Sequence, residues 1–503
     1  MIKGRARGLI LSYTNTFVSM LCGLFLSSYL LRLLGDTEYG VYQTVSSFAN
    51  YLVLLEFGTG TVMARNISAC RAKGCGKEEI DKNISTIWTI TNVFSFVILL
   101  VSCVFYTTID LIYRNSMTAQ ELATGKQMFV FIVVFLIASF YSHTINGIAL
   151  AHENYAYSST VSIIRILSRT LFLAALVFLF KKAIVIAIVD AALNSVLAVF
   201  GYFYSIHKYG VKINMRSFDY AILKAAFPMC VAIFLQAIVN QANNTVGKFV
   251  LGIVEGPESV AVFSVALYVF SMFSSLTTIP ISLYMPQVTR DILAGCSGLE
   301  LTKKLVQPCR LIVIVGGSLL FGFFAIGRQF VSILYGEERM IAWQLAIILM
   351  VPMFFNMANA VVINVLDVRN KRLVRSCIMM VTTAINVAIT IVLIQRVGIV
   401  GASWGTAVAT LLQTIVLNIY YAKAMKLKIP YMFLSIFRGI LPFQLMGGIL
   451  GYLVGRAIEN PYIAFLLGGI TFCVVFFLGF LLFGKSEEEK AMFGKIKKKF
   501  FEK

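Results

Sequence analysis

The sequence predicts an all-α polytopic membrane protein of about fourteen transmembrane helices, arranged as two six-helix lobes with two further helices behind them. Three observations predict this class. Of 503 residues, 59% are hydrophobic and only 13% are charged, whereas soluble domains are about half apolar and a quarter charged. Apolar runs long enough to span a bilayer recur along the chain. Two stretches also resemble each other about 217 residues apart, which suggests an internal repeat.

Each long apolar run is interpreted as one spanning helix. The predicted spans lie at approximately 8–34, 39–64, 84–109, 125–150, 158–180, 183–206, 221–250, 259–285, 304–327, 341–366, 373–395, 400–423, 436–456 and 461–484. The polar gaps between them are all short, while an independent domain needs about 50 residues. A fused ATPase or an extramembrane catalytic domain is therefore not expected.

Charge is distributed unevenly between the two sides of the membrane. An even number of spans places both termini on one side, and the segments on that side hold 28 Lys and Arg against 8 in the opposite loops. The positive-inside rule then puts both termini in the cytoplasm. Because of its net charge of +20, the protein is expected to interact with anionic membrane lipids and not with nucleic acid. The tail at 485–503 is either a basic amphipathic helix on the inner leaflet or a disordered segment.

The internal repeat defines the predicted lobes. RLLGDTEYGVY, beginning at Arg32, ends the first predicted helix, and KFVLGIVEGPESVAVF, beginning at Lys248, ends the seventh. Both stretches contain a basic residue, then Leu-Gly, then an acid and an aromatic residue. The predicted domains are an N-terminal lobe at 1–217, a C-terminal lobe at 218–430 and two added helices at 431–484. Six helices per lobe give both lobes the same orientation, as in parallel-repeat transporters with a central cleft.

Three short motifs carry a resemblance to a known family. LG followed by EYGVY, LEFGTG within the second predicted helix, and VGIVGASWGTAVAT at the twelfth resemble the polysaccharide transporter (Wzx-like oligosaccharide flippase) branch of the multidrug/oligosaccharidyl-lipid/polysaccharide (MOP) exporter superfamily. The resemblance covers nearly the whole chain. It implies a transporter and not an enzyme, in the bacterial inner membrane, that moves an undecaprenyl-pyrophosphate-linked oligosaccharide outward by alternating access. Polysaccharide assembly enzymes are its implied protein partners.

A strip of polar residues crosses the seventh predicted span. Gln236, Asn240, Asn244 and Lys248 are spaced four residues apart and so share one helical face. Amides facing lipid are costly, so the strip must meet protein or water. Interhelical hydrogen bonding is one interpretation, and a hydrophilic cavity that binds sugars and an anionic headgroup is the other. Similar polar residues lie in predicted helices 10 to 12, namely Asn356, Asn359, Asn364, Thr382, Asn386, Thr390, Ser403, Thr406, Thr410 and Gln413.

Charged residues inside the predicted spans indicate a functional site more specifically than the amides and hydroxyls do. Arg165 and Arg169 share a face of the fifth predicted helix, and a cation at mid-bilayer costs about 2.5–3.5 kcal/mol. With Arg32 they are candidate ligands of a pyrophosphate, which the arginine fork suits. Glu56 and Asp190 are the submerged acids, and either of them is a candidate for ion coupling. The alternative that stays open is a structural ion pair between Arg165 or Arg169 and Asp190 or Glu56.

Two other functions remain as alternatives. A multidrug cation antiporter of the same superfamily needs a dominant interior carboxylate, but the predicted interior is net basic. A membrane-embedded polymerase or glycosyltransferase usually has a large extramembrane loop, and the outer loops here are short. No catalytic residue, metal or cofactor is predicted. Cys70 and Cys75 form no convincing metal site because they lack two partner ligands nearby.

Overall fold

The computed structural model describes residues 2–214, 217–369 and 372–484, with the side chains of most of them, and this part of the chain is helical without a strand. The first eight helices are α1 Ile2–Ala49, α2 Thr59–Ala72, α3 Lys77–Tyr113, α4 Ala119–Ala151, α5 Tyr155–Phe180, α6 Ile184–Tyr209, α7 Tyr220–Val254 and α8 Pro257–Leu283. The remaining helices are α9 Met285–Leu293, α10 Gly298–Tyr335, α11 Ile341–Met357, α12 Val362–Val368, α13 Arg372–Val397, α14 Ile399–Met425, α15 Ile429–Phe437, α16 Leu441–Arg456 and α17 Pro461–Gly479. The predicted all-α polytopic class is confirmed.

The count of spans agrees with the prediction of about fourteen. Among the described residues, eleven helical segments are long and apolar enough to cross a membrane, and twelve if the bent pair α15 and α16 forms one span. One of these segments, Thr14–Arg71, contains the second predicted span and most of the first. The predicted seventh span corresponds to α7. Its stretch Thr245–Val254 is apolar but too short to be included among the eleven segments. The difference in count therefore reflects how these regions are divided.

Packing divides the chain into two compact units, Met1–Ser264 and Val265–Lys503. This boundary lies within α8, so α7 packs with the N-terminal helices. The predicted division into two lobes at 217/218 is based on the sequence repeat and remains a prediction. The predicted tail at 485–503 lies outside the described residues.

Side-chain caps fix several helix starts in the N-terminal unit. Thr118 and Glu121 form a capping box at α4, in which the Thr118 hydroxyl accepts from the Glu121 backbone N–H and the Glu121 carboxylate accepts from the Thr118 N–H. The Asn154 side chain caps α5, and the Asp219 side chain caps α7 by accepting from Ala221 N–H. These residues satisfy backbone donors that a helix start otherwise leaves unpaired.

The core of the N-terminal unit is an aromatic cluster beside α7. The Phe48 ring stacks on Phe249 with centroids 6.0 Å apart and on Phe105 at 4.7 Å, and it meets the edge of Tyr113. Gly252 of α7 packs closely on α1, since a Cβ added to this glycine would lie 2.6 Å from Thr44 Cγ2. The α1–α7 contact is therefore tight and apolar over this stretch.

Small residues in the Val265–Lys503 unit permit close helix packing. A Cβ on Gly401 would lie 2.3 Å from Leu393 O, and one on Gly405 would lie 2.2 Å from Thr390 Oγ1, so α14 packs directly on α13. Gly451 similarly faces the Gly468 carbonyl across the α16–α17 contact. Glycine at these positions lets the backbones approach, which is the usual basis of helix association in lipid.

Candidate functional site

Two adjoining cavities lie within the N-terminal unit. The first, of about 420 Å³, is lined by Ser19, Tyr42, Ser46, Asn50, Ile132, Phe135, Ser162, Arg165, Ile166, Arg169, Ala187 and Asp190. The second, of about 290 Å³, is lined by Asn15, Ser142, His143, Ile145, Asn146, Tyr157, Ser158, Ser159, Val161, Ser162, Arg165, Asn194, Leu197 and Gly201. Ser162 and Arg165 line both, so the two cavities adjoin, and together they are called the groove from here on.

Arg165 stands where the two cavities meet. Its guanidinium carbon lies 5.8 Å from the centre of the Phe135 ring, a cation–π contact that leaves the charge without an anion. Within the described part of the chain, no carboxylate lies within ion-pair distance of Arg165. The groove therefore presents an arginine whose five donors remain available to an anionic ligand.

Arg169, one helical turn further along α5, is neutralised. Its Nε lies 2.5 Å from Asp190 Oδ1 and its Nη2 lies 2.9 Å from Oδ2, which is a bidentate ion pair with α6. The Tyr42 hydroxyl lies 3.4 Å from Asp190 Oδ2 and Asn194 Nδ2 donates to the Asp190 carbonyl at 2.8 Å. The ion pair expected as one alternative is thus present between Arg169 and Asp190. Among the described residues that line the groove, Asp190 is the one carboxylate, so this lining carries a net positive charge from Arg165.

The EYGVY motif builds one wall of this region. Gly35 has φ +79° and ψ 174°, which breaks α1 directly after the Leu-Gly pair and sets the direction of the motif that follows. The Glu38 carboxylate accepts from the Ala183 backbone N–H at 3.0 Å, next to the start of α6. Tyr42 reaches Asp190, as described above. The motif therefore holds α6 and its acid beside α5.

The LEFGTG motif interrupts the helical run that the sequence predicted as one span over 39–64. Residues 50–56 form a 3₁₀ helix, and Phe57 and Gly58 take left-handed backbone conformations with φ of 51° and 67° before α2 begins. Gly60 then packs on α4, where an added Cβ would lie 2.4 Å from His143 O. Broken helices of this kind are typical of transporter binding sites.

Glu56 lies at this break and pairs with a histidine. Its Oε1 is 2.8 Å from His143 Nδ1, and the Glu56 side chain is 15% exposed while the His143 side chain is 53% exposed. His143 lines the second cavity. Beside the pair, the Thr144 hydroxyl lies 3.0 Å from Thr59 Oγ1 and 3.2 Å from Thr91 Oγ1. The structure thus connects the submerged acid of the break to the groove through an imidazole.

The remaining predicted site residues fall elsewhere. Arg32 is exposed and does not line the groove. Lys248 Nζ donates to Gln43 Oε1 at 3.2 Å, and Gln43 Nε2 donates to the Tyr39 hydroxyl at 2.8 Å, so the lysine contacts α1 and is outside the lining. The side chains of Gln236, Asn240 and Asn244 lie outside the described residues. The roles predicted for all five remain predictions.

Several polar residues of predicted helices 10 to 12 form side-chain hydrogen bonds within the Val265–Lys503 unit. Asn356 Nδ2 donates to Thr414 Oγ1 at 2.9 Å, and Asn359 donates to Asn418. Thr390 Oγ1 donates to Asn386 Oδ1 at 3.0 Å. Of the two interpretations offered for such residues, interhelical hydrogen bonding describes the contacts of Asn356 and Asn359, whereas the Thr390–Asn386 bond lies within α13.

Sequence reasoning missed most of the groove. Its lining includes Asn15 and Ser19 of α1, Ser158 and Ser162 of α5, and the series Tyr42, Ser46 and Asn50. Each set repeats every four residues, which is the same signal that drew attention to the strip in the seventh span. Serines in an apolar segment are common enough that the spacing was not conspicuous.

Two solved structures share this fold. The structure of "Lipid II flippase MurJ, inward closed conformation" matches with a TM-score of 0.72 at 13% identity, covering 94% of this chain and 99% of the other. An inward-facing multidrug resistance MATE family transporter of the MOP superfamily matches with a TM-score of 0.62 at 13% identity, covering 81% and 94%. The chain therefore shares the fold of these two structures, which is the fold that the resemblance implied.

A family match gives the narrower assignment. Residues 6–290 match the model of the family described as "Polysaccharide biosynthesis protein". This is more than half of the chain, and the protein belongs to that family. No curated protein matches the sequence significantly.

Proposed function

We propose that this protein is a flippase that moves a polyprenyl-pyrophosphate-linked oligosaccharide from the inner to the outer leaflet by alternating access. The observation that carries the proposal is Arg165, a cation inside the membrane-spanning part of the chain that faces the groove and forms no ion pair with a carboxylate among the described residues. A cation in such a place is costly unless it serves a ligand. Family membership and the fold of a lipid II flippase support the same class of substrate.

The groove offers each part of the headgroup a suitable partner. The Arg165 fork suits the two oxygens of a phosphate. Hydroxyls and amides such as Ser162, Asn50 and Asn146 can both donate and accept, which sugar hydroxyls require. The lining leaves little for a cationic drug, because Asp190 is already held by Arg169. An anionic, sugar-bearing substrate therefore fits this surface better than a cation.

The paired charges suggest how transport is driven. An anion that competes for Arg169 releases Asp190, which can then accept a proton from the cavity. Glu56 with His143 is a second candidate for ion coupling, because the imidazole connects the acid to the groove. In this proposal substrate binding and proton uptake are linked by exchange of partners.

The contact between α1 and α7 is the proposed place of opening. If the lobes are 1–217 and 218–430, the Lys248–Gln43 bond and the Phe48–Phe249 stack join them and must separate when the groove opens on the other side. Arg32, Gln236, Asn240, Asn244 and Lys248 are proposed to complete the substrate site from this side. The proposed location is a bacterial inner membrane with both termini cytoplasmic and polysaccharide assembly enzymes nearby.

The test is the sidedness of lipid-linked sugars in cells. In cells depleted of the protein, labelled intermediates are expected to face inward and to resist an impermeant glycosidase added to intact spheroplasts. The wild-type chain and Arg396→Ala, an exposed arginine of α13, should restore access, whereas Arg165→Ala at equal expression should not. Unchanged sidedness together with altered retention of cationic dyes would contradict the flippase and favour a multidrug antiporter.

A further inference from the structure

The turn between α2 and α3 brings three metal-binding side chains together. The Sγ atoms of Cys70 and Cys75 and a carboxylate oxygen of Glu79 all lie within 4.8 Å of one another. The spacing in sequence is Cys-x₄-Cys-x₃-Glu, and the third ligand stands in the first turn of α3. The sequence alone did not single out Glu79, because its closeness depends on how the turn is folded.

Backbone hydrogen bonds hold this turn in shape. The Cys75 N–H donates to Cys70 O at 3.0 Å, and Gly74 N–H donates to Arg71 O at 3.2 Å, with Gly74 in the left-handed region at φ +72°. Gly76 then precedes α3, and Ile80 N–H donates to Gly76 O at 3.3 Å. The two cysteines are thus placed by the backbone and not by chance rotation of long side chains.

A buried amide supports the cluster from behind. Asn83 is 6% exposed, and its Nδ2 lies 3.4 Å from Cys70 Sγ and 3.0 Å from Glu79 O. A donor aimed at a sulfur stabilises its thiolate form and orients it, which is the role of the outer residues in metal sites. In the absence of an ion, partial burial and the hydrogen bonds with Glu79 and Cys70 raise the pKa of Cys75 to about 11.

We infer that Cys70, Cys75 and Glu79 form a binding site for Zn²⁺ or a similar soft divalent cation, with water as the fourth ligand. Zn–S bonds of about 2.3 Å in a tetrahedral site put two sulfurs a little under 4 Å apart, so the present arrangement needs only small side-chain shifts. Binding would release the thiol protons to solvent as both sulfurs become thiolates. The predicted topology places this turn on the cytoplasmic side, where thiols stay reduced. A bound ion would join the end of α2 to the start of α3.

The test uses the full-length protein in detergent, reduced with a phosphine and freed of metal, with Co²⁺ as the probe. We expect a cobalt–thiolate charge-transfer band that saturates at one ion per chain and is removed by stoichiometric Zn²⁺. Cys70→Ser and Cys75→Ser should weaken binding by more than about 100-fold, and Asn83→Ala by about 10-fold. Cys103→Ser, an exposed cysteine of α3, is the matched control and should bind as the wild type does.

Zinc should also raise the thermal unfolding midpoint of the wild type and of Cys103→Ser, but not of Cys70→Ser. This second readout distinguishes lost binding from lost folding, because the midpoint without metal is measured for each variant. Absence of the band in the wild type, a band that survives in Cys70→Ser and Cys75→Ser, or a Cys70–Cys75 disulfide in protein isolated with its thiols trapped would overturn the inference.

Discussion

Polar residues recur every three or four residues in both units but serve different purposes. In the N-terminal unit, Ser162 and Arg165 of α5 face a groove with the series Tyr42, Ser46 and Asn50. In the other unit, Asn356 of α11 and Asn359, which follows α11, donate to Thr414 and Asn418 of α14. Spacing shows that side chains share a face, but only the fold shows what that face meets. Cavity lining and interhelical bonding should therefore respond differently to substitution.

The largest effect is expected at the ion pair of the groove. Asp190→Leu leaves the Arg169 charge largely inside the protein without its partner, and we expect the free energy of unfolding to fall by about 3 kcal/mol. The double variant Arg169→Met/Asp190→Leu should recover most of that stability because neither charge remains. Asp110→Leu, which removes the exposed partner of Lys126, is the control and should cost under about 1 kcal/mol. Thermal unfolding in detergent measures the stability of each variant. Equal losses of stability in Asp190→Leu and Asp110→Leu would refute the prediction that the groove ion pair matters more.

A smaller loss of stability is expected at the amide pair that joins Asn359, just after α11, to Asn418 of α14. Asn359→Ala leaves the Asn418 side chain without its donor, which costs about 1–3 kcal/mol for a buried group. Transport per folded molecule should stay near the wild-type value, since this pair binds the helices and not the substrate. Asn50→Ala in the groove should give the opposite pattern, with stability kept and substrate affinity reduced. Transport lost in Asn359→Ala at unchanged stability would mean that both units line the substrate path.

At the break before α2, Glu56→Gln should change coupling more than stability. The His143 ring is half exposed, so losing this pair should alter the free energy of unfolding by under about 1 kcal/mol. The rate of substrate transport should no longer depend on the proton gradient, because the variant side chain takes up no proton. Reconstituted vesicles with an imposed pH difference provide the measurement. A Glu56→Gln variant that still follows the gradient would leave Asp190 as the remaining candidate.

The smallest effect is expected from Tyr42→Phe. The hydroxyl lies 3.4 Å from Asp190 Oδ2, a long contact worth less than the usual 0.5–1.5 kcal/mol of a hydrogen bond. The Arg169–Asp190 pair should persist, and both stability and transport should stay close to the wild type. A loss comparable to that of Asp190→Leu would show that the EYGVY motif holds the acid in place by itself.

Much of the fold followed from the sequence because lipid limits the choices. Apolar length located the spans, and the Leu-Gly pair marked the break at Gly35. The charged residues of the groove were also visible, since Arg165, Arg169 and Asp190 are conspicuous in an apolar segment. The break at Phe57 and Gly58 was not, because an apolar run with two glycines reads equally well as one continuous helix. Which arginine Asp190 would pair with also depended on the relative rotation of α5 and α6, which spacing along each helix does not contain.

The central claim is that Arg165 binds the anionic headgroup, and the most direct measurement is the affinity of the purified protein for a polyprenyl-pyrophosphate-linked oligosaccharide. Arg165→Ala should bind about 10- to 100-fold more weakly, as expected for a charge-assisted hydrogen bond, with Arg165→Lys in between because the ammonium lacks the fork. Arg396→Ala should bind as the wild type does. If Arg165→Ala and Arg396→Ala bind equally tightly, the groove of the N-terminal unit is not where the headgroup is held.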